Sequence, residues 1–124
     1  MTEFYVFLGG GLGALSRYTL SSSLTKLSKE TALHQFPIGI MTCNILGCFL
    51  IGCLFGYFAQ KTAPSWLFPL LATGFLGGFT TLSTFSKDTH DLWTSGLTGL
   101  ALLQVILTLI LSLSAVTLGI KLSS

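Results

Sequence analysis

The sequence predicts an all-α integral membrane protein with four transmembrane helices, the third of which is broken near its centre. Hydrophobic residues make up 51% of the 124 residues, charged residues only 8%, and the mean hydropathy is +0.80. This composition is too apolar for the surface of a soluble domain, so most of the surface is expected to face lipid. The charges cluster and leave four long windows, and roughly 20 apolar residues are enough for one helical crossing.

The four windows define a single membrane domain over residues 1–124. Pro37 opens the second window, where its missing N–H costs no helical hydrogen bond. Trp66 suits the membrane interface at the start of the third window, and the fourth window contains no charge. The predicted spans are about 4–24, 37–59, 66–92 and 97–120.

Composition also excludes several classes of protein. The net charge of +2 and the lack of a basic run with interleaved aromatic residues argue against a nucleic-acid partner. Cys43, Cys48 and Cys53 are odd in number and share one span, so they suit apolar packing better than disulfides or a metal site. The first span is rich in glycine and lacks a basic flank, so we expect a true span rather than a cleaved signal peptide.

The loop charges predict the topology. With an even number of spans both termini lie on one side of the membrane, together with Lys61 and Lys121, while Lys26, Lys29 and Lys87 lie on the other. So small a Lys/Arg excess barely sets an orientation, and we expect the chain to insert both ways. A dual-topology chain assembles naturally as an antiparallel homodimer, which also suits a chain too small to enclose a pore alone.

The centre of span three has an unusual composition for a lipid-facing helix, because residues 74–86 contain three glycines and five hydroxyl residues. Each glycine costs about 1 kcal/mol relative to alanine in a helix interior and exposes backbone that protein, water or ions must satisfy. We therefore predict a helix break at Gly77–Gly78, of the kind that forms ion sites in membrane proteins. The alternative is close helix packing through small residues.

Polar side chains inside the other spans are further candidates. Asn44 is surrounded by apolar residues, and its NH₂ group could face an anion or make an interhelical hydrogen bond. Gln104, Thr108 and Ser112 recur at i, i+4 and i+8, so they line one face of span four. This polar track is either a water-exposed wall or a set of hydrogen bonds between helices.

Arg17 is the only charge embedded well inside a predicted span, and such a charge is a functional candidate by default. The alternative is that its long side chain reaches from the span to the membrane interface. No Asp or Glu lies mid-span, so the permeant species is predicted to be an anion rather than a cation or a proton. His34 and His90 fall in loop and interface positions without metal-ligand spacing, and we expect both at the solvated surface.

Taken together, these residues resemble the Fluc/CrcB fluoride-channel family. Residues 10–18 (GGLGALSRY) resemble its opening motif GGxxGAxxRY, and residues 37–39 (PIG) with 43–52 (CNILGCFLIG) resemble its glycine-initiated VNxxGxFxxG segment. Residues 77–85 (GGFTTLSTF) resemble GGxTTFSTF. The three motifs occur in order over the whole chain, which makes the resemblance specific.

The resemblance implies an antiparallel, dual-topology homodimer with two pores in a bacterial inner membrane. It implies passive fluoride efflux with strong rejection of chloride, and no enzymatic chemistry. It further implies a structural sodium ion at the dimer interface, held by the backbone carbonyls of Gly77 and Thr80. The anion pathway implied for this chain comprises Arg17 near a vestibule, Asn44, Ser83, Thr84, the ring edge of Phe85, and the track Gln104, Thr108 and Ser112.

Two positions depart from the family pattern. Leu82 stands where the family usually has the first of two pore phenylalanines, and Ile40 stands where a threonine is common. Either Phe85 with Asn44 and the hydroxyl groups suffices, or nearby Phe79 compensates, or the chain works with a second, different subunit.

Two rival functions follow from the same size and composition. A small four-span drug/proton antiporter needs a membrane-embedded carboxylate, and only Glu3 comes close to a span. A membrane subunit that transports nothing would use the polar track and the helix break for packing alone.

Overall fold

A computed structural model describes all 124 residues, and every regular element in it is helical. The elements are α1 (Thr2–Ser28), α2 (Ile38–Phe58), α3 (Pro69–Leu76 and Gly77–Phe79), α4 (Leu82–Thr94) and α5 (Thr98–Ser123). Helix α3 consists of a π-helical stretch followed by a single α-helical turn, and it is separated from α4 by two residues. The prediction of an all-α protein is thus confirmed.

Two of these helices, α2 and α5, are long and apolar enough to cross a membrane, with mean hydropathies of 2.2 and 2.3 over their most apolar windows. Large apolar side chains cover the outside of the chain: Phe7 is 79% exposed and Leu113 is 70% exposed. A soluble protein rarely leaves so many such side chains in water. The number of crossings stays a prediction, since α1 and the pair α3–α4 are not among the helices that are long and apolar enough to cross a membrane by length and hydropathy alone.

Glycines let the helices approach closely. Helix α2 packs mainly against α5, and α1 packs mainly against α3. A Cβ on Gly52 would lie 2.3 Å from the carbonyl oxygen of Val116, and one on Gly13 would lie 2.0 Å from that of Phe75. Small residues at such crossings are typical of helix packing in membranes. The two glycine contacts therefore join the chain into two packed pairs, α2 with α5 and α1 with α3.

The break in span three lies at a different place from the one predicted. Residues Gly77–Phe79 are still α-helical, and the extended backbone is at Thr80 (φ −98°, ψ 154°) and Thr81 (φ −152°, ψ 122°). Gly78 serves close packing instead, because a Cβ there would lie 2.4 Å from the carbonyl oxygen of Gly10. The helix is instead interrupted at the two threonines, whose β-branched side chains favour an extended backbone.

This difference predicts unequal effects of two neighbouring substitutions. Gly78→Ala should lower the free energy of unfolding by about 1–3 kcal/mol, because its Cβ meets the backbone of α1 rather than a movable side chain. Gly77→Ala is the matched control, since its nearest new neighbour is 3.9 Å away. Thermal unfolding in detergent, followed by tryptophan fluorescence, compares the two. Equal losses of stability would contradict the packing role of Gly78.

Candidate ion pathway at the helix break

Asn44 on α2 holds the second residue of the break. Its Oδ1 accepts a hydrogen bond from the N–H of Thr81 at 2.8 Å, and its Nδ2 donates to the carbonyl oxygen of Thr81 at 3.1 Å. In a continuous helix the Thr81 N–H would bond the carbonyl of Gly77, so Asn44 replaces a helical partner. The structure thus shows the interhelical hydrogen bond that was one of the two interpretations of Asn44. The second N–H of its amide is not needed for this contact.

Arg17 on α1 contacts the break from another helix. Its Nη1 donates to the carbonyl oxygen of Gly78 at 2.8 Å and to that of Thr80 at 3.4 Å. Carbonyl groups released at a helix end need partners, and inside a membrane an unpaired one costs several kcal/mol. The lone embedded charge of span one is therefore bound to the backbone of span three.

Thr81 is also the N-cap of α4, a role that the sequence reasoning missed. Its Oγ1 accepts from the N–H of Thr84 at 3.3 Å and lies 3.1 Å from the hydroxyl of Ser83. A threonine directly before a helix start is a recognised capping signal, which could have identified it. Hydroxyl groups thus gather at the start of α4, where the helix dipole is positive and favours anions.

An open cavity of about 340 Å³ borders the break, and its walls come from α2, α3, α4 and α5. Five of the residues singled out from the sequence line it together: Asn44, Gly77, Thr80, Phe85 and Thr108. Leu82, the residue that departs from the family pattern, lines it as well and is 75% exposed. The cavity therefore collects an amide, a hydroxyl group, an aromatic ring and the backbone of the break.

The remaining candidates lie outside this cavity. Thr84 lines a second cavity of about 550 Å³, formed by the end of α1, the following loop and α4, where Lys26, Lys29 and Asp88 also lie. Ser83 is exposed at the start of α4, and Arg17 lines neither of these two cavities. Of the predicted residues, Thr84 thus lies at the loop-side cavity, while Arg17 contacts the break by hydrogen bonds without lining either cavity.

The polar track of α5 faces the protein interior. Gln104 is only 1% exposed and Thr108 only 7%, and Gln104 Nε2 donates to the carbonyl oxygen of Phe85 at 3.4 Å. Gln104 Oε1, Thr108 Oγ1 and Ser112 Oγ are buried and have no hydrogen-bond partner. A buried polar atom without a partner carries the full cost of desolvation. The track thus makes one hydrogen bond to α4, and its three remaining polar atoms are open to water, an ion or a second chain.

Comparison with known proteins decides the family. A family model described as "CrcB-like protein, Camphor Resistance (CrcB)" matches residues 4–120. The chain belongs to this family. The match begins in the first turn of α1 and ends near the end of α5, so it extends over residues of all five helices.

Several relatives carry the name "Fluoride-specific ion channel FluC". The protein from Francisella philomiragia is 41% identical over 119 residues, which cover 92% of this chain and 88% of the relative. The protein from Saccharophagus degradans is 41% identical over 120 residues, covering 95% and 86%, and that from Salmonella arizonae is 42% identical over 122 residues, covering 96% and 91%. The resemblance drawn from the three motifs is confirmed. Helices α2 and α5 are long and apolar enough to cross a membrane, and the relatives are named as channels. Together these two findings indicate that the chain is a membrane protein.

Proposed function

We propose that this chain forms a fluoride-selective channel that lets fluoride leave the cell passively and so relieves fluoride toxicity. The observation that carries the proposal is the pair of buried, unpartnered hydroxyl groups of Thr108 and Ser112, which lie on one face of α5. Close relatives named as fluoride-specific channels support the choice of ion. A small, strongly hydrated anion needs close donors to replace its water, and hydroxyl and amide groups supply them.

The proposed anion pathway runs between the two cavities. Thr84 lies toward the loop side, Asn44 and Phe85 border the break, and Ser83 offers a hydroxyl at the start of α4. Arg17 lies beside this pathway, hydrogen-bonded to the backbone of the break. The edge of the Phe85 ring is electropositive and suits an anion. The pathway wall on α5 consists of Gln104, Thr108 and Ser112.

The backbone of the break fits a structural sodium ion. Gly77 and Thr80 border one cavity, and the carbonyl of Gly77 has lost its helical amide partner, because the N–H of Thr81 bonds Asn44 instead. Hard cations prefer oxygen ligands such as backbone carbonyls. We propose that these two oxygens, with the same two from a second copy, hold sodium. Its charge would offset the cost of bringing an anion into a low-dielectric site.

We further propose an antiparallel homodimer in the cell inner membrane, with each chain crossing four times. The weak Lys/Arg bias and the opening of the cavity onto the surface of a single chain support it. Reporters fused to the C-terminus, one active only in the cytoplasm and one only outside it, test the topology. Both should give signal; signal from one alone would contradict dual insertion.

Purified protein in liposomes tests the function itself. Fluoride should leave loaded liposomes without any proton gradient, while chloride stays inside. Proton-coupled drug uptake would instead indicate the antiporter, although the side chain of Glu3, the carboxylate closest to a predicted span, is 92% exposed in the first turn of α1. No flux of any kind would indicate a membrane subunit that does not transport.

A further inference from the structure

The break leaves backbone carbonyls that need partners. The last carbonyls of any helix have no intrahelical amide. At the end of α3, the carbonyl of Leu76 is satisfied by the N–H of Thr80 at 3.0 Å and by the Thr80 hydroxyl at 2.9 Å. The carbonyls of Gly78 and Thr80 receive theirs from Arg17. A side chain of α1 therefore completes the hydrogen bonding of the break in span three.

The sequence of α1 explains why Arg17 reaches this point. Gly10 and Ala14 are the backbone neighbours of Gly78, with a would-be Cβ 2.4 Å from the Gly10 carbonyl oxygen and 3.1 Å from the Ala14 nitrogen. Arg17 follows Gly10 by seven residues and Ala14 by three, so it lies on the same face of α1, one turn further on. The close contact of Gly78 with Gly10 and Ala14 thus places the guanidinium of Arg17 within hydrogen-bonding distance of the Thr80 carbonyl.

We propose that Arg17 is a positioning residue, whose guanidinium fixes the Thr80 carbonyl, while Asn44 fixes Thr81 from α2. A guanidinium keeps its charge inside proteins and makes strong, charge-assisted hydrogen bonds. The break is therefore held by two side chains from two other helices on successive residues. The Thr80 carbonyl is also one of the oxygens assigned to sodium, so Arg17 sets the position of a cation ligand without contacting the anion.

Amide hydrogen exchange of the segment 78–85 tests the positioning role without any transport assay. In Arg17→Gln the amides of Thr80 and Thr81 should exchange about tenfold faster, which is the effect of losing one charge-assisted hydrogen bond. Arg17→Lys should lie between Arg17→Gln and the parent, because an ammonium can still donate to a carbonyl. Lys121→Gln, the control, removes an exposed charge at the end of α5 and should leave the segment unchanged.

The exchange rates of the two Arg17 variants decide whether Arg17 positions the break. Parent-like exchange of the segment in both Arg17 variants would overturn the proposal. If Arg17→Gln loosens α2 and α5 as well, the variant is misfolded, and Arg17→Lys decides: faster exchange confined to 78–85 supports positioning, and parent-like exchange overturns it.

A second readout rests on the proposed fluoride function. If Arg17 orients a sodium ligand, Arg17→Lys should raise severalfold the sodium concentration that gives half-maximal fluoride efflux, and keep the maximal rate. A fall in maximal rate with unchanged sodium dependence would mean that Arg17 acts on the anion, against the proposal. Absence of fluoride flux in the parent would refute the proposed function alone, since the exchange experiment would still decide on Arg17.

Discussion

Replacing Asn44 with aspartate should reduce fluoride flux at least about a hundredfold. The carboxylate keeps an acceptor for the N–H of Thr81, but it loses the donor to the Thr81 carbonyl and places a negative charge on the proposed path. Two like charges about 4 Å apart repel by about 4 kcal/mol at an effective dielectric constant of about 20. Initial efflux rates from fluoride-loaded liposomes measure the change.

Asn44→Ala separates the two causes of this loss. Alanine removes both hydrogen bonds to Thr81 without adding charge, so its flux should fall less than that of Asn44→Asp. Parent-like flux in Asn44→Asp would remove Asn44 from the pathway. Equal losses in both variants would show that Asn44 only holds the break and that the anion passes elsewhere.

The second large effect is expected on α5. Thr108→Val combined with Ser112→Ala removes two hydroxyl groups whose oxygens have no partner in the protein. Because no hydrogen bond within the protein is lost, the thermal stability should stay the same or rise slightly. Fluoride flux should nevertheless fall by on the order of a hundredfold, since two donors to a charged ion are lost. Stability and flux are measured on the same preparation.

Thr117→Val provides the matched control on the same helix. Thr117 is exposed, and its hydroxyl donates to the carbonyl oxygen of Leu113 at 3.0 Å. Its removal should leave flux unchanged. A double variant of Thr108 and Ser112 that conducts like the parent would assign the track to packing and contradict a pore wall on α5.

The sequence predicted the helical fold and the shared face of the three polar residues on α5, because both follow from local rules. Composition alone indicates a helical chain in lipid, and the i, i+4, i+8 spacing alone places three polar residues on one face. Spacing could not show that Gln104 Oε1 and Thr108 Oγ1 are buried without hydrogen-bond partners, since that depends on how α5 packs against α2 and α4.

The position of the break could not be predicted in this way. Glycine propensity favours Gly77–Gly78, but the contact of Gly78 with α1 keeps that turn helical. Thr81 is extended because Asn44, which precedes it by 37 residues, bonds both of its backbone groups. Gly74, in the π-helical stretch before the break, also lies against the backbone of Val6. Contacts between distant segments decide where the break lies.

Fluoride that crosses this chain passively as an ion carries net charge across the membrane. Liposomes loaded with potassium fluoride test it most directly, with a fluoride electrode in the outer solution. The account predicts slow release until valinomycin lets potassium leave with the anion, and then an immediate rise in rate. Fast release that is equal with and without valinomycin would mean electroneutral transport, and no release in either case would mean no channel; either result would contradict the account.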